Sequence, residues 1–406
     1  MSTLITNIKG LVQARPEAVQ TVKGAAMKEL PVLSQAYLLI ENGLIHSFGP
    51  MSECPERADI VIDATGKYVL PCWCDPHTHI VYAGSREGEF VDKIKGLSYE
   101  EIAQRGGGIV NSAKRLQAAA ESELIESALS RLTEMESFGT GAVEIKSGYG
   151  LSYDGEIKML RAIKKLKDRS RLRLKATFLG AHAYPPEYKQ DHEGYIRLMI
   201  DKMLPAIADE GLADYIDVFC DRGFFSADET ARILEAGARY GLRPKIHANE
   251  LDYSGGIETG VKYRALSVDH LEYTGKEQIK ALLESDTMPT LLPSTAFFLG
   301  LHEPPARQMI DSGLPVALAT DYNPGSSPSG NMQFILSLAS IKLKMMPEEA
   351  INAATINAAY AMGIEQEMGA ITPGKRASIM ITKPMPSLTF MPYSFANNMV
   401  EQVIIS

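Results

Sequence analysis

The sequence has few cysteines, and none of them are arranged as a disulfide framework. The four are Cys54, Cys72, Cys74 and Cys220, and no Cys-x-x-Cys pair occurs. A disulfide-stapled secreted scaffold is therefore not expected. Cys72 and Cys74 lie in an apolar stretch, where a free thiol behaves as a small hydrophobic side chain. We prefer this interpretation to a metal-ligand role, because a structural zinc site needs four converging ligands.

Long apolar runs and clusters of positive charge are also missing. No apolar stretch approaches the ~20 residues of a membrane helix, and residues 1–7 lack the basic and apolar regions of a signal peptide. The net charge is −9, and no basic stripe is present to neutralise a phosphate backbone. We therefore expect a soluble, cytoplasmic protein that binds neither membrane nor nucleic acid.

Nucleotide-binding fingerprints are absent as well. The glycine-rich segment 106–108 follows a predicted helix at 99–104 and not a strand, which indicates a loop and not a phosphate cradle. The chain has 406 residues, of which 45% are hydrophobic and 22% charged. This length and composition predict a globular protein with one large domain and a smaller one.

The middle of the chain alternates predicted strands with helical patterns, such as those at 122–129 and 229–236. Strands that are apolar on both faces are typical of parallel sheets covered by helices. Eight of them over about 300 residues favour a (β/α)8 barrel of the TIM type over an open doubly wound sheet. The predicted strands are 68–74, 140–146, 172–179, 214–220, 243–248, 266–270, 288–293 and 315–320.

Both ends of the chain have a different, β-rich character. A hairpin signal around Asn42-Gly43 lies between two apolar runs, and strand patterns recur in the C-terminal segment. We expect a small β-sandwich domain formed from residues 1–65 plus 370–406, and the barrel over residues 66–369.

Several strand ends carry the residue types of a metal site. In His77-Thr78-His79 both imidazoles point to the same side, because side chains alternate faces along a strand. Other apolar strands end at His247, His270 and Asp321. In a (β/α)8 barrel these ends meet on one face, where the active site lies. Nitrogen and oxygen ligands of this kind suit zinc or iron.

The stretches around these residues resemble the amidohydrolase superfamily, and within it the imidazolonepropionase family, over nearly the whole chain. The His-x-His pattern and the strand-ending aspartate occur throughout the superfamily, whereas longer motifs are more specific to imidazolonepropionases. Those motifs include Gly84-Ser85-Arg86, Ser147-Gly148-Tyr149-Gly150 and Asp321-Tyr322-Asn323-Pro324-Gly325-Ser326. One departure is Ser378, where relatives commonly have aspartate, and it lies away from these motifs.

The resemblance implies hydrolysis of the small molecule 4-imidazolone-5-propanoate, a cyclic amide of histidine degradation, to N-formimidoyl-L-glutamate. It also implies a homodimer. The implied metal ligands for one zinc or iron ion per chain are His77, His79, His247 and Asp321. Two-metal relatives have a bridging carboxylated lysine at the end of strand four, where this chain has Phe219-Cys220-Asp221. Lys146, at the end of strand two, is better interpreted as the partner of a carboxylate.

Three residues are candidates for proton transfer around a nucleophilic water: Glu250, His270 and Asp321. We favour Asp321 as metal ligand and proton acceptor, and His270 as the group that polarises the substrate carbonyl. Glu250 follows His247 closely enough to hold the water or a ring N–H. Which of the three acts as the general base stays open.

Substrate contacts are expected from residues in the specific motifs, namely Arg86, Tyr149, His182, Glu250, Asn323, Gly325 and Ser326. A guanidinium such as that of Arg86 forms a bidentate fork on a carboxylate. Its alternative role is a solvated loop arginine paired with Glu87 or Glu89. The Asn-Pro-Gly-Ser turn is expected to present backbone N–H groups to an anion.

Two other functions remain open from the sequence. One is another mononuclear amidohydrolase, a deaminase or cyclic-amide hydrolase acting on a different heterocycle. The other is a non-catalytic scaffold on the same fold, which the presence of every expected ligand argues against.

Overall fold

The structure is a computed structural model that describes residues 1–97, 101 and 107–406. These residues form two β-sheets, of which one is surrounded by helices. The helix predicted at 99–104, apart from residue 101, lies outside the described residues, as does Gly106 of the glycine-rich segment. In the described part of the chain, every helix is too short or too polar to cross a membrane.

The smaller domain is a seven-stranded sheet built from both ends of the chain, which confirms the predicted separate β domain. Its order is β15-β14-β5-β1-β2-β3, and β4 also pairs with β1. Buried apolar residues such as Ile5, Leu38 and Ile379 form its core. Its strands are β1 (Ser2–Val12), β2 (Val32–Glu41), β3 (Leu44–Pro50), β4 (Ile60–Asp63), β5 (Tyr68–Pro71), β14 (Ile379–Thr382) and β15 (Val400–Ile404).

The strand predicted at 68–74 is two strands in two sheets. Tyr68–Pro71 pairs with β1 and β14, whereas Trp73–Thr78 begins the barrel. At the crossing, the Cys72 N–H donates to the Ser378 carbonyl at 3.0 Å. The next residue already bonds to the barrel, because the Trp73 N–H donates to the Gly139 carbonyl at 2.9 Å. The terminal sheet therefore continues to Pro71, past the predicted boundary at residue 65.

The larger domain is a parallel eight-stranded barrel, as predicted. Neighbouring strands pair in chain order from β6 to β13. The ring closes where the Asp321 N–H donates to the His77 carbonyl at 3.0 Å and the His79 N–H to the Tyr322 carbonyl at 2.9 Å. The strands are β6 (Trp73–Thr78), β7 (Thr140–Lys146), β8 (Arg173–Ala181), β9 (Tyr215–Cys220), β10 (Arg243–Ala248), β11 (Ser267–His270), β12 (Met288–Leu291) and β13 (Ala317–Leu318).

Helices with one apolar face pack around the barrel. In Glu121–Ser137, the buried Leu124, Ala128, Leu132 and Met135 recur every three or four residues, as in a helix that lies against a core. The α-helices are α1 (Glu87–Ile94), α2 (Ile109–Ala118), α3 (Glu121–Ser137), α4 (Tyr153–Arg169), α5 (His192–Leu198), α6 (Leu204–Glu210), α7 (Ala227–Ala238), α8 (Gly256–Lys262), α9 (Lys276–Leu283), α10 (Pro293–Leu299), α11 (Ala306–Asp311), α12 (Met332–Ile341), α13 (Pro347–Ala354), α14 (Ile356–Ala361) and α15 (Phe390–Tyr393). Short 3-10 turns lie at Gly24–Lys28, Met51–Glu53 and Pro186–Tyr188, and a π-helical turn at Met199–Met203.

Candidate active site

A cavity of about 460 Å³ is lined by residues at the ends of the barrel strands. His79 follows β6, Tyr149 follows β7, His182 follows β8 and His270 ends β11. Of the site residues predicted from the sequence, all but His77 line this cavity, and His77 is fully buried. The parallel strands thus bring together residues that are far apart in the sequence.

Four donor atoms lie close to one another at this cavity. The Nε2 atoms of His77 and His79 are 3.3 Å apart, and those of His79 and His247 are 3.4 Å apart. Asp321 Oδ1 lies 3.5 Å from Nε2 of both His77 and His79. Ligands placed 2.0–2.1 Å from a tetrahedral zinc are roughly 3.4 Å from each other. The donor set therefore fits one metal ion, and His270 lies near enough to His77 and Asp321 to form a second candidate group.

Two buried carboxylates orient the metal-site histidines. Nδ1 of His77 lies 2.6 Å from Asp269 Oδ2, and Nδ1 of His247 lies 3.1 Å from Asp217 Oδ1. When each carboxylate accepts the Nδ1–H, the Nε2 lone pair is left for a metal. Burial lowers the pKa of His77 well below its usual value, which favours the neutral imidazole that metals bind.

The same carboxylates belong to a buried ionic network. Lys146 Nζ lies 2.7 Å from Asp217 Oδ2, 2.8 Å from Glu144 Oε1 and 3.4 Å from Asp269 Oδ2. Glu144 also pairs with the buried Lys245. The prediction that Lys146 pairs with a carboxylate is confirmed.

Sequence reasoning missed the other members of this network. The sequence does contain a signal for two of them, which is a polar residue two positions before another polar residue within an apolar strand. Glu144 precedes Lys146 by two residues, and Lys245 precedes His247 by two. Such alternate positions point to the same side of a strand. Polar residues that recur at this spacing therefore indicate a polar barrel interior next to the cluster of candidate donors.

The backbone is unusual where the site residues leave their strands. The φ angles of Asn249, His270 and Asp321 are +56°, +82° and +53°, in a region that costs roughly 1–3 kcal/mol per non-glycine residue. The Thr295 hydroxyl donates to Asp321 Oδ2 at 2.6 Å, which leaves Oδ1 facing the histidines. Burial raises the pKa of Asp321 to about 6.

Glu250 and His270 are neighbours whose pKa values are shifted in opposite directions. Their Oε2 and Nδ1 atoms are 3.7 Å apart. Burial, with the nearby Asp321 charge, raises the pKa of Glu250 to about 8, whereas burial lowers the pKa of His270 well below its usual value. Glu272, whose carboxylate lies 4.0 Å from His270 Nδ1, is a further buried acid that sequence reasoning missed.

Arg86 lies in the cavity wall beside Gly325. Its Nη2 is 2.5 Å from Glu89 Oε2. Arg86 therefore pairs with Glu89, which was the alternative role considered from the sequence, and also lines the cavity. A Cβ atom on residue 325 would lie 3.0 Å from the Arg86 Cζ. Glycine at this position therefore leaves the guanidinium room to lie against the turn. Lys93 also lines the cavity.

The turn that contains Gly325 is organised by Asn323. The Asn323 Oδ1 accepts the N–H groups of Gly325 at 2.7 Å and Ser326 at 2.9 Å, and its Nδ2 donates to the Asp321 carbonyl at 2.7 Å. The N–H groups that were expected to face an anion are therefore used within the turn. All three turn residues nevertheless line the cavity.

Tyr149 and His182 form another part of the wall. The rings of His182 and His79 are stacked with centroids 5.2 Å apart, and Tyr149 lies 5.6 Å from His182. His182 Nδ1 is 3.1 Å from the Gly148 carbonyl oxygen, and desolvation lowers the pKa of His182 to about 3. The ring is therefore neutral with Nδ1 as the donor, which leaves Nε2 as a hydrogen-bond acceptor.

A closed (β/α)8 barrel with three histidines and an aspartate at its strand ends defines the class of metal-dependent hydrolases. The profile of the amidohydrolase family matches residues 68–406. The imidazolonepropionase of Flavobacterium johnsoniae is 57% identical over 406 residues, which cover 100% of this chain and 99% of that protein. That of Flavobacterium psychrophilum is 59% identical with the same coverage. The chain therefore belongs to the amidohydrolase family, and within it to the imidazolonepropionases, hydrolases of histidine degradation.

A solved structure supports the fold at much lower identity. The 5-methylcytosine deaminase from Klebsiella pneumoniae, liganded with phosphonocytosine, has a TM-score of 0.75 and 17% sequence identity, covering 99% of this chain and 96% of that one. This similarity supports the architecture of barrel and terminal sheet.

Proposed function

We propose that this chain hydrolyses 4-imidazolone-5-propanoate to N-formimidoyl-L-glutamate in histidine degradation. The observation that carries the proposal is that one cavity is lined by Arg86 and by three of the four proposed metal donors, His79, His247 and Asp321. The donors suit cleavage of a cyclic amide, and the guanidinium suits the carboxylate of the propanoate tail. The relatives named imidazolonepropionase span the full chain, which supports this substrate over a different heterocycle.

One zinc or iron ion is proposed at His77, His79, His247 and Asp321. When bound, such an ion supplies Lewis acidity that polarises a carbonyl and favours nucleophilic water at neutral pH. The spacing of the donor atoms and the carboxylate partners of His77 and His247 support this ligand set. Because β9 ends at Cys220 without a lysine, the bridging group of two-metal relatives is absent, and a single ion is proposed.

The substrate is oriented by residues on different sides of the cavity. Arg86 binds the propanoate carboxylate through its guanidinium. The neutral His182 accepts a hydrogen bond from a ring N–H at Nε2, since its Nδ1 is used by Gly148. Tyr149 contacts the ring from the same wall, and the Asn323 turn, with Gly325 and Ser326, supports the propanoate end.

Proton transfer is assigned to three residues around the scissile bond. Hydrolysis forms a bond between the water oxygen and the ring carbonyl carbon, breaks the carbon–nitrogen bond, and moves a proton from the water to the leaving nitrogen. Asp321, whose Oδ1 lies 3.5 Å from Nε2 of both His77 and His79, accepts the water proton. The neutral His270 donates an N–H to the carbonyl oxygen. Glu250, a buried carboxyl group whose pKa is raised by burial, forms a hydrogen bond with the ring nitrogen.

A homodimer and a cytoplasmic location are further parts of this proposal and rest on the family resemblance. Light scattering on the purified protein tests the first, and fractionation of the producing cells tests the second.

The experiment for the reaction is an assay of the purified, metal-loaded chain with 4-imidazolone-5-propanoate. We expect N-formimidoyl-L-glutamate as the product by mass spectrometry, with one metal ion per chain. Cytosine and guanine serve as comparison substrates, with ammonia release as the readout. Turnover of one of these, without turnover of the imidazolone, would favour the alternative deaminase function.

A further inference from the structure

The loop between β7 and α4 is held by a buried residue that does not line the cavity. Glu156, in the first turn of α4, has a fully buried side chain. Its Oε1 accepts the N–H groups of Gly150 at 2.7 Å and Leu151 at 3.0 Å, and its Oε2 accepts that of Gly148 at 3.1 Å. One carboxylate therefore holds three peptide groups around Tyr149.

The packing of this loop against α4 leaves no space for a side chain at Gly148 in the loop or at Gly155 in the helix. Gly148 has a φ angle of +105°, and a Cβ there would lie 2.7 Å from Nδ1 of His182. A Cβ on Gly155 would lie 2.6 Å from the Gly150 carbonyl oxygen. The loop backbone therefore lies directly on the start of α4. This close approach is what brings the N–H groups within reach of Glu156.

The loop connects Glu156 to two ring-bearing residues of the cavity wall, Tyr149 and His182. Gly148 donates its N–H to Glu156 and offers its carbonyl to Nδ1 of His182. The residue that follows it is Tyr149, which lines the cavity. A shift of the Gly148 peptide would therefore change the acceptor that orients His182 and the direction of Tyr149 together.

We propose that Glu156 is a positioning residue for substrate binding, which acts through the loop on Tyr149 and His182. A carboxylate is suited to this task because it only accepts hydrogen bonds, and charge-assisted bonds to backbone N–H groups are stronger than neutral ones. A glutamine would have to place its NH2 group against at least one of the three donors. This inference rests on the proposed function, since it concerns the binding of that substrate.

The test is Glu156→Gln, assayed with 4-imidazolone-5-propanoate. We expect KM to rise about tenfold and kcat to change less than about threefold, because a lost charge-assisted bond misplaces binding groups and not the metal donors. Metal content per chain should stay at the wild-type value. If the Gln variant does not fold, Glu156→Asp is the second variant. It keeps the negative charge but moves the carboxylate away from the loop, because its side chain is one carbon shorter, and we expect it to raise KM in the same way.

The matched control is Glu349→Gln. Glu349 is also a fully buried glutamate in the first turn of a helix, where it accepts the Met346 N–H at 2.8 Å and pairs with Arg307 at 2.7 Å. It does not line the cavity. The Gln variant should lower the melting temperature while leaving KM at the wild-type value. Equal changes of KM in the two variants would show a general effect of fold stability and would overturn the inference.

A double-mutant cycle with Tyr149→Phe separates positioning from a merely structural role. If Glu156 acts through the loop, Glu156→Gln should raise KM less in the Tyr149→Phe background than in the wild type. Fully additive effects, or an unchanged KM in Glu156→Gln, would reject the inference. Failure of the proposed function is a different result, because the wild-type chain itself would then not turn over the imidazolone.

Discussion

The Nζ atom of Lys146 lies 2.7 Å from Oδ2 of Asp217, and both side chains are fully buried. The other oxygen of the same carboxylate is 3.1 Å from Nδ1 of His247. Lys146 therefore compensates the charge of Asp217, a residue that contacts a proposed metal ligand. The ionic network in the barrel interior is therefore in direct contact with the proposed metal site.

We predict that Lys146→Met strongly destabilises the protein. It would leave Asp217 and Glu144 without their shared cation, and breaking a buried ion pair by removing one partner typically costs about 3–5 kcal/mol. The free energy of unfolding in urea measures this loss. Lys165→Met is the control, because Lys165 is 61% exposed in its pair with Glu121, and exposed pairs contribute only about 0–1 kcal/mol. Similar losses in both variants would contradict the role of the buried network.

We predict that the chain binds one metal ion and that His77→Ala loses both the ion and the activity while staying folded. This side chain is not part of the hydrophobic core of the barrel, whereas it contributes one of the four proposed donors. Elemental analysis, circular dichroism and the hydrolysis assay check the three parts. Two ions per chain, both required for activity, would exclude the mononuclear site.

A second metal prediction concerns the orientation of the ligand. Asp269→Asn should weaken metal binding about 10- to 100-fold, because partners that orient a ligating histidine contribute this much to affinity. Competition with a chelator measures the change. An unchanged affinity would show that the 2.6 Å contact between Asp269 and His77 does not tune the ligand.

The barrel and the clustering of the proposed metal donors could be predicted because the responsible patterns are local. Apolar strands, the His-x-His alternation and the turn residues after each strand are all readable within a few positions. His77, His79, His247 and Asp321 then come together because the parallel topology places all strand ends on one face. The position of each of these residues at the end of its own strand was enough to predict that they cluster.

The supporting contacts could not be predicted, because they are long-range. Asp217 and His247 are neighbours only through the register of β9 and β10, where Asp217 aligns with Lys245. The crossing at Cys72 depends on hydrogen bonds to two different sheets. The role of Asn323 depends on the direction of its amide group. Such features follow from three-dimensional packing and not from a local pattern.

We predict that the metal-free protein loses stability as the pH rises, through Glu250. Burial raises its pKa from 4.5 to about 8, so between these values the native state binds one proton more than the unfolded state. The free energy of unfolding then falls by up to about 1.4 kcal/mol for each unit by which the pH rises. Glu250→Gln removes this contribution. Urea unfolding of both proteins at about pH 5 and about pH 7.5 tests it, and equal pH slopes would contradict the elevated pKa.

The last prediction concerns Arg86, which decides the substrate. Arg86→Ala should lose roughly 2–5 kcal/mol of transition-state binding, or tens- to thousands-fold in kcat/KM, because a charge-assisted pair with the propanoate carboxylate is lost. Arg86→Lys should restore only part, since an ammonium cannot form the bidentate fork. Metal content should not change. On the neutral propanamide analogue, the wild type and Arg86→Ala should perform alike. A near-normal kcat/KM of Arg86→Ala on the carboxylate substrate would show that another residue, such as the cavity-lining Lys93, binds the anion.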